Sequence, residues 1–289
     1  MRLRLLPLAV VLILVVAAPA SAASRTETST AGQVTATFTY DYKKTSFGSY
    51  DFSNLHVAID HAGARLVDQD VADVCDACEG WPADMASKGT QSVTVRDLDA
   101  DDEPEVLVDL FSGGANCCWY SISYRFDEGQ NKYIAKVLRP GLSFPYVLKD
   151  IDKNGIPEFR SVDYRFAYKY GSNADTPRPL RIFNWGPGGT LVDVTVAFPR
   201  LAALDAADMY KGYLHYRKVK DVNVRGLLAA YLADSYNAGN GRVAWRRVVA
   251  AYRRGDVDKK IPGDVGPHGK AYLQSLRRFL KKLGYLRAN

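Results

Sequence analysis

From Gly32 to Tyr42 the chain alternates polar and apolar residues, with Val34, Ala36, Phe38 and Tyr40 on one face and Thr35, Thr37 and Thr39 on the other. A period of two predicts a half-buried β-strand. The run "NLHVAIDHAGARLVD" predicts a strand, a turn at Ala62–Gly63 and a second strand. From Val71 to Gly89 the chain carries Gly, Pro, Asp and two cysteines, and a loop is predicted. "QSVTVRDL" reads as a short strand, followed by three more in "EVLVDLFS", "CWYSISYRF" and "KYIAKVLR". After Arg200 the period changes. Apolar residues then recur three and four apart in "LAALDAADMYKGYLHYRKV", "VRGLLAAYLADSYN", "VAWRRVVAAYRR" and "GKAYLQSLRRFLKKLGYL", with breaks at Asn237–Gly241 and Ile261–Gly269. Three or four amphipathic helices are predicted there.

The first 23 residues show neither period. A basic start ("MRLR"), an apolar run ("LLPLAVVLILVVAA") and small residues ("ASAA") predict a cleaved secretory signal. The apolar run is shorter than a typical membrane span, and no second long one follows. The mature protein is therefore expected to be secreted, extracellular and without a transmembrane span. Charge then divides the rest. Residues 24–200 hold 18 Lys and Arg against 25 Asp and Glu, whereas residues 201–289 hold 18 against 7, with no Glu. This asymmetry predicts two physically different parts.

Export bears on the four cysteines, Cys75 and Cys78 in C-x-x-C spacing and the adjacent Cys117 and Cys118. Neighbouring cysteines rarely bond each other, so each of the first pair is expected to bond one of the second, in an order the sequence leaves open. Each cross-bridge closes a loop of about 40 residues, worth roughly 4 kcal/mol in the chain-entropy model. A four-cysteine zinc site is the rival reading.

Two acidic stretches repeat at an offset of 53 residues: "DLDADDEPEVLVDL" from Asp97 and "DIDKNGIPEFRSVD" from Asp150. Each follows a short apolar run and precedes an aromatic-rich strand pair, which suggests an internally duplicated β unit. Asp97, Asp99, Asp101, Glu103 and Glu105 take positions 1, 3, 5, 7 and 9 of the first loop, and Asp150, Asp152, Asn154, Ile156 and Glu158 those of the second. Side chains at 1, 3 and 5 of a tight loop converge, position 7 can add its carbonyl, and position 9 adds a carboxylate. So many hard oxygens suit calcium, and magnesium less, because magnesium keeps its waters. An EF-hand is excluded, since position 12 is Val108 or Ser161 and the flanks read as strands.

"DLDADDEPE" and "DIDKNGIPE" resemble the calcium-binding turns of FG-GAP and VCBS-type repeats, the blades of integrin-like propellers. The likeness covers Gln91 to about Phe198. It implies one calcium held by Asp97, Asp99, Asp101, Glu105 and the Glu103 carbonyl. A second would be held by Asp150, Asp152, Asn154, Glu158 and the Ile156 carbonyl. The first loop departs from the pattern, with Asp102 where the second has the turn glycine Gly155. The implied fold is α+β: a signal at 1–23, a β-rich part at 24–200 and a basic helical part at 201–289. The β-rich part would contain propeller-blade-like repeats at about 91–145 and 146–198. Two units plus an N-terminal β segment are too few for an ordinary closed propeller, so a small propeller-like assembly or an open sandwich is expected.

No zincin, serine-hydrolase or phosphate-loop motif occurs, and His56, His61, His215 and His268 show no catalytic spacing. The leading expectation is an exported calcium-binding protein that binds or adheres at the cell envelope without catalysis. A metal-assisted extracellular hydrolase is the alternative. Eighteen tyrosines can stack on sugars or fill a protein interface, or simply pack sheets. The basic helices make an anionic envelope polymer, a carbohydrate or a protein the expected partner, and export argues against nucleic acid.

Overall fold

The computed structural model describes residues 22–75, 80–87, 90–113, 119–138, 145–173, 176–261 and 265–286. The signal predicted over 1–23 falls outside them up to residue 21. The first sheet is an antiparallel meander of β1 (Ala23–Ala31), β2 (Val34–Lys44), β3 (Tyr50–His61) and β4 (Ala64–Asp70). The alternation in β2 does what its pattern predicts, as Val34, Ala36, Phe38 and Tyr40 are all buried. β3 turns into β4 through Ala62 (φ 49°) and Gly63 (φ 83°), the pair of left-handed residues that matches strand twist in a two-residue hairpin.

Short elements interrupt the stretch read as a loop from Val71 to Gly89. They are α1 (Val71–Val74), β5 (Trp81–Pro82) and α2 (Ala83–Ala86), each too short to show a period. The second sheet centres on β7 (Glu105–Phe111), which pairs with β5, with β6 (Val93–Arg96) and with β8 (Trp119–Asp127), while β9 (Lys132–Leu138) pairs with β8. The third sheet follows as β10 (Val147–Lys149), β11 (Glu158–Val162), β12 (Leu180–Gly186) and β13 (Thr190–Asp193), in chain order.

β7 explains how the sheets stack. Successive side chains point to opposite faces. Val106, Val108 and Leu110 enter one core with β2 and β3, while Leu107 joins Leu98, Leu138, Phe159, Phe183 and Trp185 in a second core. A strand buried on both faces reads as an apolar run instead of an alternation, as "EVLVDL" does. Asp109 breaks that run and faces the third sheet. The Tyr146 hydroxyl donates to its two oxygens at 2.7 and 2.9 Å, and Ser121 also donates to it. Removal from water pushes its carboxyl up to about 6, against the pull of those two hydroxyls.

The described residues form three antiparallel sheets and six helices, an α+β fold with no closed barrel or propeller. The propeller-like expectation is thereby corrected, and the physical reason lies in the chain after β11. The second repeat is expected to run on into an aromatic-rich strand pair from Tyr168. Tyr164–Phe166 is a 3₁₀ turn and Tyr168 is left-handed (φ 58°). Phe166 and Tyr170 pack into a third core made otherwise by the helices, so helices cover the ground a further blade would need.

Those helices are α3 (Pro199–Tyr216), α4 (Arg225–Asn237), α5 (Gly241–Arg253) and α6 (Gly269–Lys282). α4 is buried almost all round. α5 buries Ala244, Val248 and Ala251, and α6 buries Tyr272, Leu276 and Leu280, each at helical spacing. Arg246, Arg247, Arg277, Arg278, Lys281 and Lys282 are left exposed.

Asp234 on α4 ties helices to sheet. It is fully buried, and its Oδ1 accepts the Leu180 backbone N–H at 3.0 Å. Burial, followed by the neighbouring Asp205 carboxyl, holds Asp234 well above its ordinary 3.8. The folded protein therefore keeps a proton that the unfolded chain releases above about 3.8, so stability falls as pH rises from that value towards the folded one. Asp234→Asn keeps the Oδ1 acceptor and cannot ionise. Its stability is expected to vary less with pH above about 4, with an advantage over the parent that widens as pH rises. Urea unfolding at a series of pH values checks this; a pH profile parallel to the parent's would refute it.

Candidate metal centre

The first acidic loop links β6 to β7. Asp97 Oδ1 accepts the N–H of Asp99 at 3.2 Å and of Ala100 at 2.7 Å, and Oδ2 accepts that of Asp102 at 3.1 Å. Asp101 Oδ1 accepts the N–H of Glu103 at 3.0 Å. Glu105 Oε2 accepts that of Leu98 at 3.0 Å. Short acidic side chains capping their own following amides wind a loop tightly without secondary structure.

The second loop links β10 to β11 and repeats these bonds 53 residues on. Asp150 Oδ2 accepts the N–H of Gly155 at 3.0 Å, Asn154 Oδ1 that of Ile156 at 2.7 Å, and Glu158 Oε2 that of Ile151 at 2.7 Å. The left-handed residues correspond too: Ala100 (φ 61°) with Lys153 (φ 65°), and Asp102 (φ 65°) with Gly155 (φ 95°). The absent glycine is no obstacle at Asp102, because an aspartate tolerates the left-handed region at that angle.

In each loop three carboxylates converge. One oxygen each from Asp97, Asp99 and Glu105 lie within 4.8 Å of one another, and so do oxygens from Asp150, Asp152 and Glu158. Both glutamates open a strand and are buried, Glu105 at 1% exposure and Glu158 at 0%. Glu105 Oε1, Asp99 Oδ1 and Glu158 Oε1 are buried without a hydrogen-bond partner among the described residues. Burial, then the Asp99 charge, pushes Glu105 up to about 7. Burial likewise raises Glu158, partly offset by the Ile151 N–H. Crowded, desolvated carboxylates with spare lone pairs must bind protons or a cation, and an all-oxygen donor set suits a hard divalent ion. Both clusters can hold one.

The side chains of Asp101, Glu103 and Asn154 have partners of their own, while Glu103 and Ile156 were expected to offer only their carbonyls. Asp101 turns to Arg125, whose Nη2 lies 3.2 Å from its Oδ2, and Glu103 turns to His61, at 3.2 Å. The Asn154 side chain bonds Asp152 Oδ2 at 3.2 Å as well as Ile156. Ile156 itself offers only backbone. The sequence does not single out Arg125, and it marks His61 only as lacking catalytic spacing. Arg125 stands on β8, and its Nη2 also lies 3.4 Å from Asp99 Oδ2 and its Nε 3.5 Å from Glu105 Oε1. Among the described residues no ion pair reaches Asp150, Asp152 or Glu158, so the two clusters differ in kind.

Cys75 is buried and disulfide-bonded, so it is no zinc thiolate. Cys78, Cys117 and Cys118, and with them the expected cross-pairing, lie outside the described residues.

Residues 202–284 match the family described as the sll0997 C-terminal domain. A curated relative, "Probable thylakoid lumen protein sll0997" of Synechocystis sp. (strain ATCC 27184 / PCC 6803 / Kazusa), is 26% identical over 209 residues. The match covers 67% of this chain and 60% of the relative's length. No solved structure matches the chain. The resemblance to VCBS and FG-GAP repeats is overturned by these findings, since the family found is a different one. An Asp spacing that winds a loop is short-range chemistry and carries little information about family. The chain is similar, through its helical part, to the C-terminal domain of a probable thylakoid lumen protein.

Proposed function

We propose that this is an exported, non-catalytic binding protein whose β-rich part is stiffened by calcium at an acidic loop. The observation that carries the reading is Glu158: fully buried, its carboxylate beside those of Asp150 and Asp152, with Oε1 lacking a hydrogen-bond partner. A calcium ion there would accept those oxygens and fix the turn from which β11 starts. Calcium fits better than magnesium because the donors are mostly carboxylates on a loop that can supply carbonyls as well. Export is supported by the predicted signal and by the lumen location in the relative's name. In this reading the site of action is the cell envelope or the medium. The exposed basic residues of α5 and α6 meet an anionic partner.

Calorimetric titration tests the calcium reading. Saturable binding is expected with a dissociation constant no weaker than about 10⁻³ M, the range of extracellular modules. Magnesium is expected to bind more weakly. Absence of calcium binding up to several times that concentration would defeat the reading.

A further inference from the structure

The two clusters share a backbone and a carboxylate triad, yet among the described residues only the first contains a cationic side chain of its own. Arg125 reaches three carboxylates of the first loop, at 3.2 Å from Asp101, 3.4 Å from Asp99 and 3.5 Å from Glu105. β7 pairs with β8, and Leu107 stands opposite Ser123 in that register, which brings Arg125 next to the strand start where Glu105 lies. A guanidinium is permanently charged and presents several donors in one plane, so it can neutralise several carboxylates at once. The equivalent triad of the second loop has no such partner among the described residues, although its glutamate is as fully enclosed as Glu105.

We propose that Arg125 is the resident cation of the first loop, so that the native protein takes a single divalent ion, at Asp150, Asp152 and Glu158. The inference rests on the calcium reading above and deepens it. A divalent ion entering the first loop would sit at contact range from a like charge and would have to displace it. Displacement has somewhere to go, because Arg125 borders a cleft of about 660 Å³ lined also by Asp127, Glu128 and Lys136. The arginine therefore sets the occupancy of the first loop without being needed for its backbone, whose bonds run from Asp97, Asp101 and Glu105 to main-chain amides.

Equilibrium dialysis with radiolabelled calcium, carried to saturation at free concentrations up to about 10⁻² M, roughly ten times the weakest dissociation constant expected, counts the sites. The parent is expected to bind one equivalent and Arg125→Gln two. Glu158→Gln and the exposed-site variant Asp152→Asn are each expected to lose the parent's equivalent, whereas Glu105→Gln keeps it. Arg125→Gln combined with Glu158→Gln is expected to bind one. Circular dichroism confirms that each variant is folded, and the Asp152 variant stands in if the buried glutamate cannot be replaced. Two equivalents in the parent, or one in Arg125→Gln, overturns the inference and leaves calcium binding standing. No binding in the parent overturns the calcium reading itself.

Discussion

Replacing Arg225 with alanine is expected to lower the unfolding free energy by about 3–5 kcal/mol, because it removes several charge-assisted hydrogen bonds worth roughly 1.5–3 kcal/mol each, offset in part by water. Arg225 opens α4 and is 1% exposed, one of the largest fully enclosed side chains among the described residues. Its Nη1 donates to the carbonyls of Gly266 and Pro267 at 3.2 and 2.6 Å, its Nη2 to that of Val265 at 3.0 Å, and its Nε to Asn223 Oδ1 at 3.2 Å. The Tyr272 hydroxyl donates to the backbone carbonyl of Arg225 at 2.8 Å. One guanidinium thus ties the start of α4 to the connection before α6. Truncation leaves the part-buried carbonyls of Val265, Gly266 and Pro267 without this donor, and water reaching them offsets part of the loss. Lysine does not restore the planar fork and is expected to recover only part of the loss. Urea unfolding measures it. A loss below about 1 kcal/mol would show that the network is not what joins these helices.

Calcium is expected to have the second largest effect. A ligand that binds only the folded state stabilises it by about 2.7 kcal/mol when present at a hundred times its dissociation constant. For a chain of this size each kcal/mol moves the melting midpoint by roughly 2–4 °C, so removing calcium with a chelator should lower it by roughly 5–11 °C. Glu158→Gln keeps the shape of the side chain but loses the charge, and it should abolish that response while leaving the chelated protein nearly as stable as the parent. Arg125→Gln should respond at least as much as the parent. A midpoint that ignores chelator in all three proteins would remove the ion from the account of stability.

The parts of the fold legible in the sequence were those whose signal is local. β2 announced itself because its alternation continues into a face that is buried throughout. α5 and α6 did so because each buries only one stripe and leaves its basic residues in water. β1 went unread because "ASRTETSTA" is a polar edge strand whose partner, not its own pattern, makes it a strand. Tyr170, expected near the start of a strand pair, misled because aromatic residues at strand-like spacing can equally be anchors, and here it plugs the helical core.

The acidic loops show the same division. Asp97, Asp150 and their following amides lie within five residues of each other, so the winding could be read from spacing alone. Arg125 comes 20 residues after Glu105, and only the β7–β8 pairing brings them together. The sequence marked the first loop as the odd one for its missing glycine. The structure places the difference in Arg125 instead, since Asp102 adopts the required backbone angle. Likeness to a known repeat failed for a related reason, because a short ligand spacing reports loop chemistry and the surrounding fold can differ.

The central claim, that the second loop is built for a divalent cation, is tested most directly by locating the ion. Crystals grown with a lanthanide in place of calcium should show an anomalous peak coordinated by Asp150, Asp152 and Glu158, with oxygens at about 2.3–2.6 Å and Glu158 Oε1 among them. A map with no peak at that triad, at a lanthanide concentration that saturates a calcium-binding control protein, would contradict it.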